Sequence, residues 1–342
     1  MRAAIDPATV RASIDRAIDS VYPAKVVPAF PWAARWAGDD YGLTAKPDWR
    51  TIDWRAHVRE TRVAGRSARY VDLGDGDRPP VVFVHGLGGN WQNWLENLPR
   101  VAQTRRAIAV DLPGFGCSDL PEEDLSISNY GRWIEAFCEG LGLGPVVVVG
   151  NSMGGFIGAE VAIAFPERVE RLVLAAAAGI SVTNLRRRPT LTLAQVTTVL
   201  KVGGLAARHR RLLVSRRNLR HLALSSVVRH PTRISPDLAC ELLAGAGRTG
   251  YVPALDALMT YDFRDRLPEI GCPTLIVWGG EDMLVPVRDA DEFERLIPDA
   301  RKVILEDTGH APMLERPETF NRWLVSFVSE MGEASARSSA VA

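Results

Sequence analysis

The sequence predicts an α/β protein built on a doubly wound, mostly parallel sheet of eight strands with helices on both faces. Short apolar runs alternate with helix-like stretches along most of the 342-residue chain. The runs are apolar at consecutive positions, which is typical of strands buried on both faces. One connection between two runs is about 90 residues long and carries its own helical patterns, which indicates a cap domain inserted over the sheet.

The strands and helices can be assigned in chain order. Residues 57–65 and 67–76 alternate in period two around a turn at Gly65–Arg66 and predict an antiparallel hairpin at a sheet edge. Six continuous apolar runs predict the other strands, and five stretches between them predict helices, with Ser128 and Pro317 as start signals. The strand runs are 79–86, 105–114, 146–152, 169–178, 273–280 and 301–309, and the helices lie at about 90–103, 128–142, 153–165, 287–297 and 317–331.

These assignments divide the chain into four parts. Residues 1–55 form a predicted helix at about 7–21 followed by an arm rich in Trp and Pro. Residues 56–181 and 269–332 form the α/β core, and residues 182–268 form the helical cap. The tail at 333–342 is small and polar, so we expect it to be disordered.

Composition excludes several classes of function. Hydrophobic residues make up 46% of the chain, and 41 basic residues balance 41 acidic ones, so net charge gives no argument for nucleic acid. The four cysteines have no C-x-x-C spacing and predict neither a metal site nor disulfides. The chain shows neither an apolar run long enough to span a membrane nor a signal-peptide pattern. We therefore expect a cytoplasmic protein.

A serine enclosed by glycines follows the most apolar strand. Four valines lead into Gly150-Asn151-Ser152-Met153-Gly154, which matches G-x-S-x-G between a strand and a helix. In such an elbow the serine backbone is strained and its hydroxyl faces a cleft, while the glycines remove side chains that would clash. Ser152 is the candidate nucleophile.

A serine hydroxyl needs a base, and the base needs an orienting carboxylate. His310 follows the last predicted strand and would reach the same carboxyl edge of the sheet as Ser152. Asp282 follows the preceding strand, and its neighbour Glu281 is a rival that the pattern points toward solvent. The other histidines at 57, 209, 221 and 230 suit solvated or core roles. The chain order is then nucleophile, acid and base.

The oxyanion of an acyl-transfer intermediate needs two fixed donors. The Met153 N–H follows the nucleophile directly, and the Leu87 N–H lies in the glycine-rich loop HGLGGN after the third strand. We expect His85 and Gly86 to support that loop and Asn151 to support the elbow. No metal or organic cofactor is needed for this chemistry.

The sequence resembles the α/β-hydrolase superfamily over about residues 57–331, through HGLGG, DLPGFGCSD, GNSMGG, WGGEDMLVP and DTGHAPMLERP. Within it, GHAPMLERPETFN looks like serine esterases and lipase-like members with an inserted helical cap. The resemblance implies cleavage of a small-molecule acyl ester through an acyl-enzyme. GNSMGG is also similar to hydrolases that cleave carbon–carbon bonds of ring-fission diketones, for which Asn151 or Arg186–Arg188 would hold the substrate carboxylate.

Two further hypotheses about the function remain open. An acyltransferase or perhydrolase would use the same triad with another acceptor. A non-catalytic protein of this fold would have a blocked cleft or a broken triad, and no member of the triad is missing from the sequence.

The cap carries a concentrated positive charge. From Arg171 to Pro236 there are 13 basic residues and no acidic one. This pattern suits a solvated helix face, or a lid that contacts anionic lipid or an anionic substrate at the membrane periphery. Few aromatic residues lie in the stretch, so we do not expect nucleic acid binding.

Overall fold

Eight strands form one sheet in a computed structural model that describes residues 29–181, 205 and 207–330. The strands are β1 (Val58–Val63), β2 (Arg66–Leu73), β3 (Val81–Val84), β4 (Ala107–Val110), β5 (Val146–Asn151), β6 (Val169–Ala175), β7 (Thr274–Gly279) and β8 (Ala300–Leu305). Their order is β1-β2-β4-β3-β5-β6-β7-β8. The pairs β1–β2 and β2–β4 are antiparallel and all other neighbours are parallel. The predicted fold class is confirmed.

Ten α-helices lie in the described part of the chain. They are α1 (Leu98–Val101), α2 (Ile127–Gly140), α3 (Met153–Ala164), α4 (Arg210–Ser215), α5 (Arg217–Leu224), α6 (Pro236–Ala244), α7 (Tyr251–Thr260), α8 (Arg288–Leu296), α9 (Pro312–Glu315) and α10 (Pro317–Ser329). Helix α2 begins earlier than predicted, because the Ser126 hydroxyl, rather than Ser128, accepts from the Asn129 N–H at 3.1 Å.

The predicted helix at 90–103 is not continuous. A 3₁₀ turn spans Trp91–Trp94 and α1 follows only at Leu98. The Asn93 side-chain oxygen accepts from the Asn90 N–H at 3.3 Å, and this contact closes the short 3₁₀ turn. Pro99 then sits in the first turn of α1, where its missing N–H costs nothing.

The sheet has an apolar core on each face. Along β3, Val82 and Val84 pack into one core and Val81 and Phe83 into the other. All four side chains are buried, because successive residues of a strand point to opposite faces and both faces are covered. This burial accounts for the continuous apolar runs in the sequence.

The described arm, residues 29–55, is held against the core by buried polar contacts. The Glu96 carboxylate accepts from the Ala45 N–H at 2.8 Å and from the Trp49 indole N–H at 2.9 Å. Burial raises the pKa of Glu96 to about 6. The predicted helix at 7–21 and the tail at 333–342 lie outside the described residues.

The described part of the predicted cap is largely helical and contacts the core at several places, two of them through backbone hydrogen bonds. The Val227 carbonyl accepts from the His310 N–H at 2.9 Å, and the Gly114 carbonyl accepts from the Gly250 N–H at 3.1 Å. Residues 182–204, with Arg186–Arg188, lie outside the description. In the described chain, no helix combines the length and apolar character needed to cross a bilayer.

Candidate active site

Ser152 occupies a strained turn between β5 and α3. Its backbone has φ 54° and ψ −119°, a region that residues with a side chain rarely adopt. The Ser152 N–H donates to the Ala175 carbonyl at 3.0 Å, and its carbonyl accepts from the Ala178 N–H at 3.0 Å. These bonds to the end of β6 and the segment after it hold the serine in place.

The glycines around Ser152 are required by close backbone contacts. A Cβ on Gly150 would lie 2.2 Å from the Gly154 carbonyl oxygen, and a Cβ on Gly154 would lie 2.1 Å from the Val84 carbonyl oxygen. Neither distance is possible for a carbon atom, so the G-x-S-x-G pattern lets α3 start directly against β3 and β5.

His310 and Asp282 are brought together by the loops after β8 and β7. The Nδ1 atom of His310 lies 2.7 Å from Oδ2 of Asp282, and both side chains are buried. The other carboxylate oxygen, Oδ1, accepts from the N–H groups of Leu284 and Val285 at 2.8 and 2.9 Å. A carboxylate held this way accepts from Nδ1–H, which leaves Nε2 of His310 free to accept a proton.

The elbow and the histidine loop are joined by Asn151. Its side-chain amide donates to the Ala175 carbonyl at 3.0 Å and to the His310 carbonyl at 3.2 Å. This contact puts the residue before Ser152 against the backbone of His310. The three candidate triad residues therefore lie at one edge of the sheet, beyond the carboxyl ends of β5, β7 and β8.

The glycine-rich loop after β3 passes beside the nucleophile. A Cβ on Gly86 would lie 3.0 Å from the Ser152 Cβ. In the described chain, the backbone N–H groups of Leu87 and Met153 have no hydrogen-bond acceptor, as expected of a helix N-terminus for Met153. Unpaired donors that adjoin Ser152 and Gly86 in the chain can serve an oxyanion.

His85 holds this loop as a neutral imidazole. Its Nε2 accepts from the Leu112 N–H at 3.0 Å, so its Nδ1 carries the proton and donates to the Gly86 carbonyl at 2.7 Å. Burial lowers the pKa of His85 to about 4. Both ring nitrogens of His85 are taken up by these hydrogen bonds. The side chain therefore stabilises the loop and does not serve as a second base.

The rival residues contact partners other than the candidate triad. The Glu281 carboxylate is half-exposed and 3.7 Å from the Arg229 guanidinium. Among the other histidines, His57 faces the Asp72 carbonyl at 3.3 Å and His230 faces the Asp307 carboxylate at 2.8 Å.

Sequence reasoning missed a buried carboxylate that organises the histidine loop. Glu315 is fully buried, and its carboxylate accepts from the N–H groups of Gly309 and Ala311 on either side of His310, at 2.9 and 3.1 Å. It also accepts from the N–H of Arg229 in the cap at 2.9 Å. Burial is the largest cause that raises the pKa of Glu315, opposed by these hydrogen bonds.

The N-terminal arm reaches the same carboxylate. The Tyr41 hydroxyl donates to Glu315 at 2.5 Å and accepts from the His230 N–H at 2.7 Å. Burial, with the nearby Glu315 charge, raises the pKa of Tyr41 well above its usual value. We call Tyr41, Arg229, His230 and Glu315 the Glu315 junction. It joins arm, cap and histidine loop, and only the glutamate lies in a motif the sequence pointed to.

Comparison with known proteins agrees with the observed fold. A family model described as alpha/beta hydrolase fold matches residues 79–317. The chain is 30% identical, over 84% of its length and 74% of the relative's, to a dihydrolipoyllysine-residue acetyltransferase component of an acetoin cleaving system from Cupriavidus necator.

Two solved structures are also similar. One is a serine hydrolase involved in carbazole degradation, with 27% identity, 80% of this chain and 98% of that chain covered, and a TM-score of 0.62. The other is a meta-cleavage product hydrolase, with 26% identity, 80% and 99% coverage and a TM-score of 0.62.

Proposed function

The chain belongs to the α/β-hydrolase family, and from this premise we propose that it is a serine hydrolase that cleaves a carboxylic ester by acyl transfer. The observation that carries the proposal is the strained Ser152 beside the unpaired Leu87 and Met153 N–H groups, with the His310–Asp282 pair joined to it through Asn151. These groups could supply the nucleophile, the base with its carboxylate and the oxyanion donors that acyl transfer needs.

The reaction proceeds in two steps. His310 Nε2 takes the Ser152 proton as the hydroxyl oxygen attacks the ester carbonyl, and the oxyanion is held by the Leu87 and Met153 N–H groups. The protonated His310 then gives its proton to the leaving alcohol, and an acyl-enzyme remains. In the second step His310 removes a proton from water, which attacks the acyl group and releases the acid and Ser152.

Two other reactions would use the same groups. Similarity to the meta-cleavage product hydrolase supports carbon–carbon bond cleavage of a ring-fission diketone. Similarity to the acetyltransferase component supports transfer of the acyl group to an acceptor other than water. We give ester hydrolysis precedence because it needs no binding group beyond those placed around Ser152.

We also propose that the reaction takes place in the cytoplasm. The four cysteines, at positions 117, 138, 240 and 272, are free thiols, and oxidising compartments favour disulfides instead.

The test is turnover of p-nitrophenyl esters from acetate to palmitate by the wild type and by Ser152→Ala. We expect the variant to lose about 10⁴- to 10⁶-fold in kcat. Ser215→Ala is the matched control, since the Ser215 hydroxyl is exposed and bonds only its own helix, at Leu212. The best chain length would report the size of the acyl pocket.

Labelling with a fluorophosphonate separates the alternatives, because it depends on an activated serine and not on a substrate. Labelling at Ser152 without ester turnover would reject the ester and direct the search to diketones and acyl acceptors. A folded wild type that is neither labelled nor active would reject the hydrolase mechanism.

A further inference from the structure

The described arm and the first described helices of the cap share an exposed surface, which we call the arm–cap surface. The Arg217 guanidinium on α5 donates to the Pro31 carbonyl at 3.4 Å, and the His221 side chain bonds the Ala29 backbone. These contacts place the arm next to α5. The exposed residues of the surface are Phe30, Trp32, Arg35, Trp36, Arg208, Arg211, Leu212, Arg216, Arg217, Leu219 and Leu222.

Three aromatic rings form the apolar part of this surface. Phe30 stacks on Trp32 with centroids 5.8 Å apart, and Trp32 meets Trp36 edge-on at 5.2 Å. They remain 61%, 54% and 63% exposed, and Leu222 on α5 is 76% exposed. Contiguous exposed apolar groups mark interaction sites, and Trp is the side chain favoured at the boundary between water and lipid.

Arg35 packs on two of these rings, and further arginines lie on or beside α4 and α5. The Arg35 guanidinium lies 4.1 Å from the centre of the Trp36 ring. Within the described residues, Arg208, Arg211 and Arg216 form no ion pair with a carboxylate. Arginines on the core differ, since Arg295 is paired with Glu292 and Arg301 with Glu330. The surface therefore presents uncompensated positive charge.

The positive charge of the arm–cap surface indicates which kind of partner it can bind. Residues 1–28 hold four basic and three acidic side chains, and residues 182–204 hold four basic and none that is acidic. Neither segment has the negative charge that would complement the surface, and a second copy would meet it with the same positive face. A partner must combine anionic groups with an apolar layer.

We propose that the arm–cap surface docks on an anionic phospholipid bilayer. Trp32 and Trp36 lie at the level of the headgroups, and the arginines contact lipid phosphates. This contact places the cap at the membrane surface.

The test is co-sedimentation of the full chain with vesicles of phosphatidylcholine, with and without phosphatidylglycerol. We expect binding to the mixed vesicles only. Arg208→Gln/Arg211→Gln should weaken the apparent affinity about fivefold for each arginine lost, and Trp32→Ser/Trp36→Ser should also weaken it. The matched control is Arg322→Gln/Trp323→Ser, an exposed Arg–Trp pair on α10, which should bind as the wild type does.

Thermal midpoints of all variants report whether they fold. Absence of binding by the wild type, equal binding to neutral vesicles, or an equal loss in the α10 control would overturn the proposal. So would a dimer, detected by light scattering, that Trp32→Ser/Trp36→Ser dissociates, because the occupant would then be a second copy.

Discussion

At the scale of single residues, the Glu315 junction shows how a catalytic loop is held by groups that take no part in the chemistry. Four hydrogen-bond donors reach the Glu315 carboxylate, and two of them are the backbone N–H groups that flank His310. Each buried donor without an acceptor costs about 1–3 kcal/mol. The position of His310 therefore depends on this carboxylate and on the Tyr41 hydroxyl.

Replacement of Tyr41 by Phe tests this dependence. Tyr41→Phe removes one donor to Glu315 and leaves the His230 N–H without its acceptor, so we expect a loss of about 1–3 kcal/mol in the free energy of unfolding. We also expect kcat to fall about tenfold, because small displacements of a catalytic base are costly. Urea unfolding and ester turnover give the two quantities.

Tyr130→Phe is the matched control. Tyr130 is a buried tyrosine whose hydroxyl donates to the Pro113 carbonyl at 3.1 Å. It should lose stability and keep its kcat. Equal losses of kcat in both variants would mean that general loosening, and not the junction, controls the histidine.

At the scale of the elements, the elbow between β5 and α3 depends on glycine. Gly154→Ala would force a Cβ to within 2.1 Å of the Val84 carbonyl oxygen, so α3 must shift away from β3. We expect a loss of about 1–3 kcal/mol from overpacking, together with loss of turnover because Ser152 moves with the helix.

Gly140→Ala provides the comparison. Gly140 is the last residue of α2 and is exposed to solvent, and a Cβ added there would meet no atom within 4 Å. Alanine should be neutral or stabilise by up to about 1 kcal/mol at this position. Thermal unfolding of both variants measures the contrast, and similar midpoints would show that the elbow tolerates a side chain.

The elements also show what the sequence could and could not predict. The central strands were predictable because burial on both faces leaves continuous apolar runs. The positions of Ser152, Asp282 and His310 at one edge of the sheet were predictable because each follows a predicted strand. The prediction of a continuous helix at 90–103 was wrong because the Asn93 side chain accepts from the Asn90 N–H and closes a short 3₁₀ turn there. The Glu315 junction joins Tyr41, Arg229 and Glu315, which lie in three distant segments of the chain. Such long-range contacts leave no local sequence pattern from which they could be predicted.

At the scale of the whole molecule, the buried neutral His85 makes stability depend on pH. Its pKa is about 4 in the folded protein and about 6.5 in the unfolded chain. Between these values the unfolded state binds more protons, so stability falls as the pH falls. From pH 7 to pH 5 we expect His85 to remove about 2 kcal/mol.

Urea unfolding of the wild type and of His85→Gln at both pH values measures this contribution. Asp111, whose pKa burial raises to about 6, acts in the opposite direction, since stability falls as the pH rises through its range. Asp111 is present in both the wild type and His85→Gln, so its contribution cancels when their changes in unfolding free energy are subtracted. An equal change in the two proteins would show that His85 does not titrate in this way.

The two edges of the sheet have a consequence for the protein at high concentration. β1 exposes Arg59, Glu60 and Arg62 along one edge, and β8 carries Arg301 and Lys302 along the other. A strand from another molecule could pair with either edge only by bringing its own side chains against these charges. Charged edge strands of this kind disfavour edge-to-edge sheet pairing between molecules. Aggregation that begins from the native state would have to start elsewhere than at the ends of the sheet.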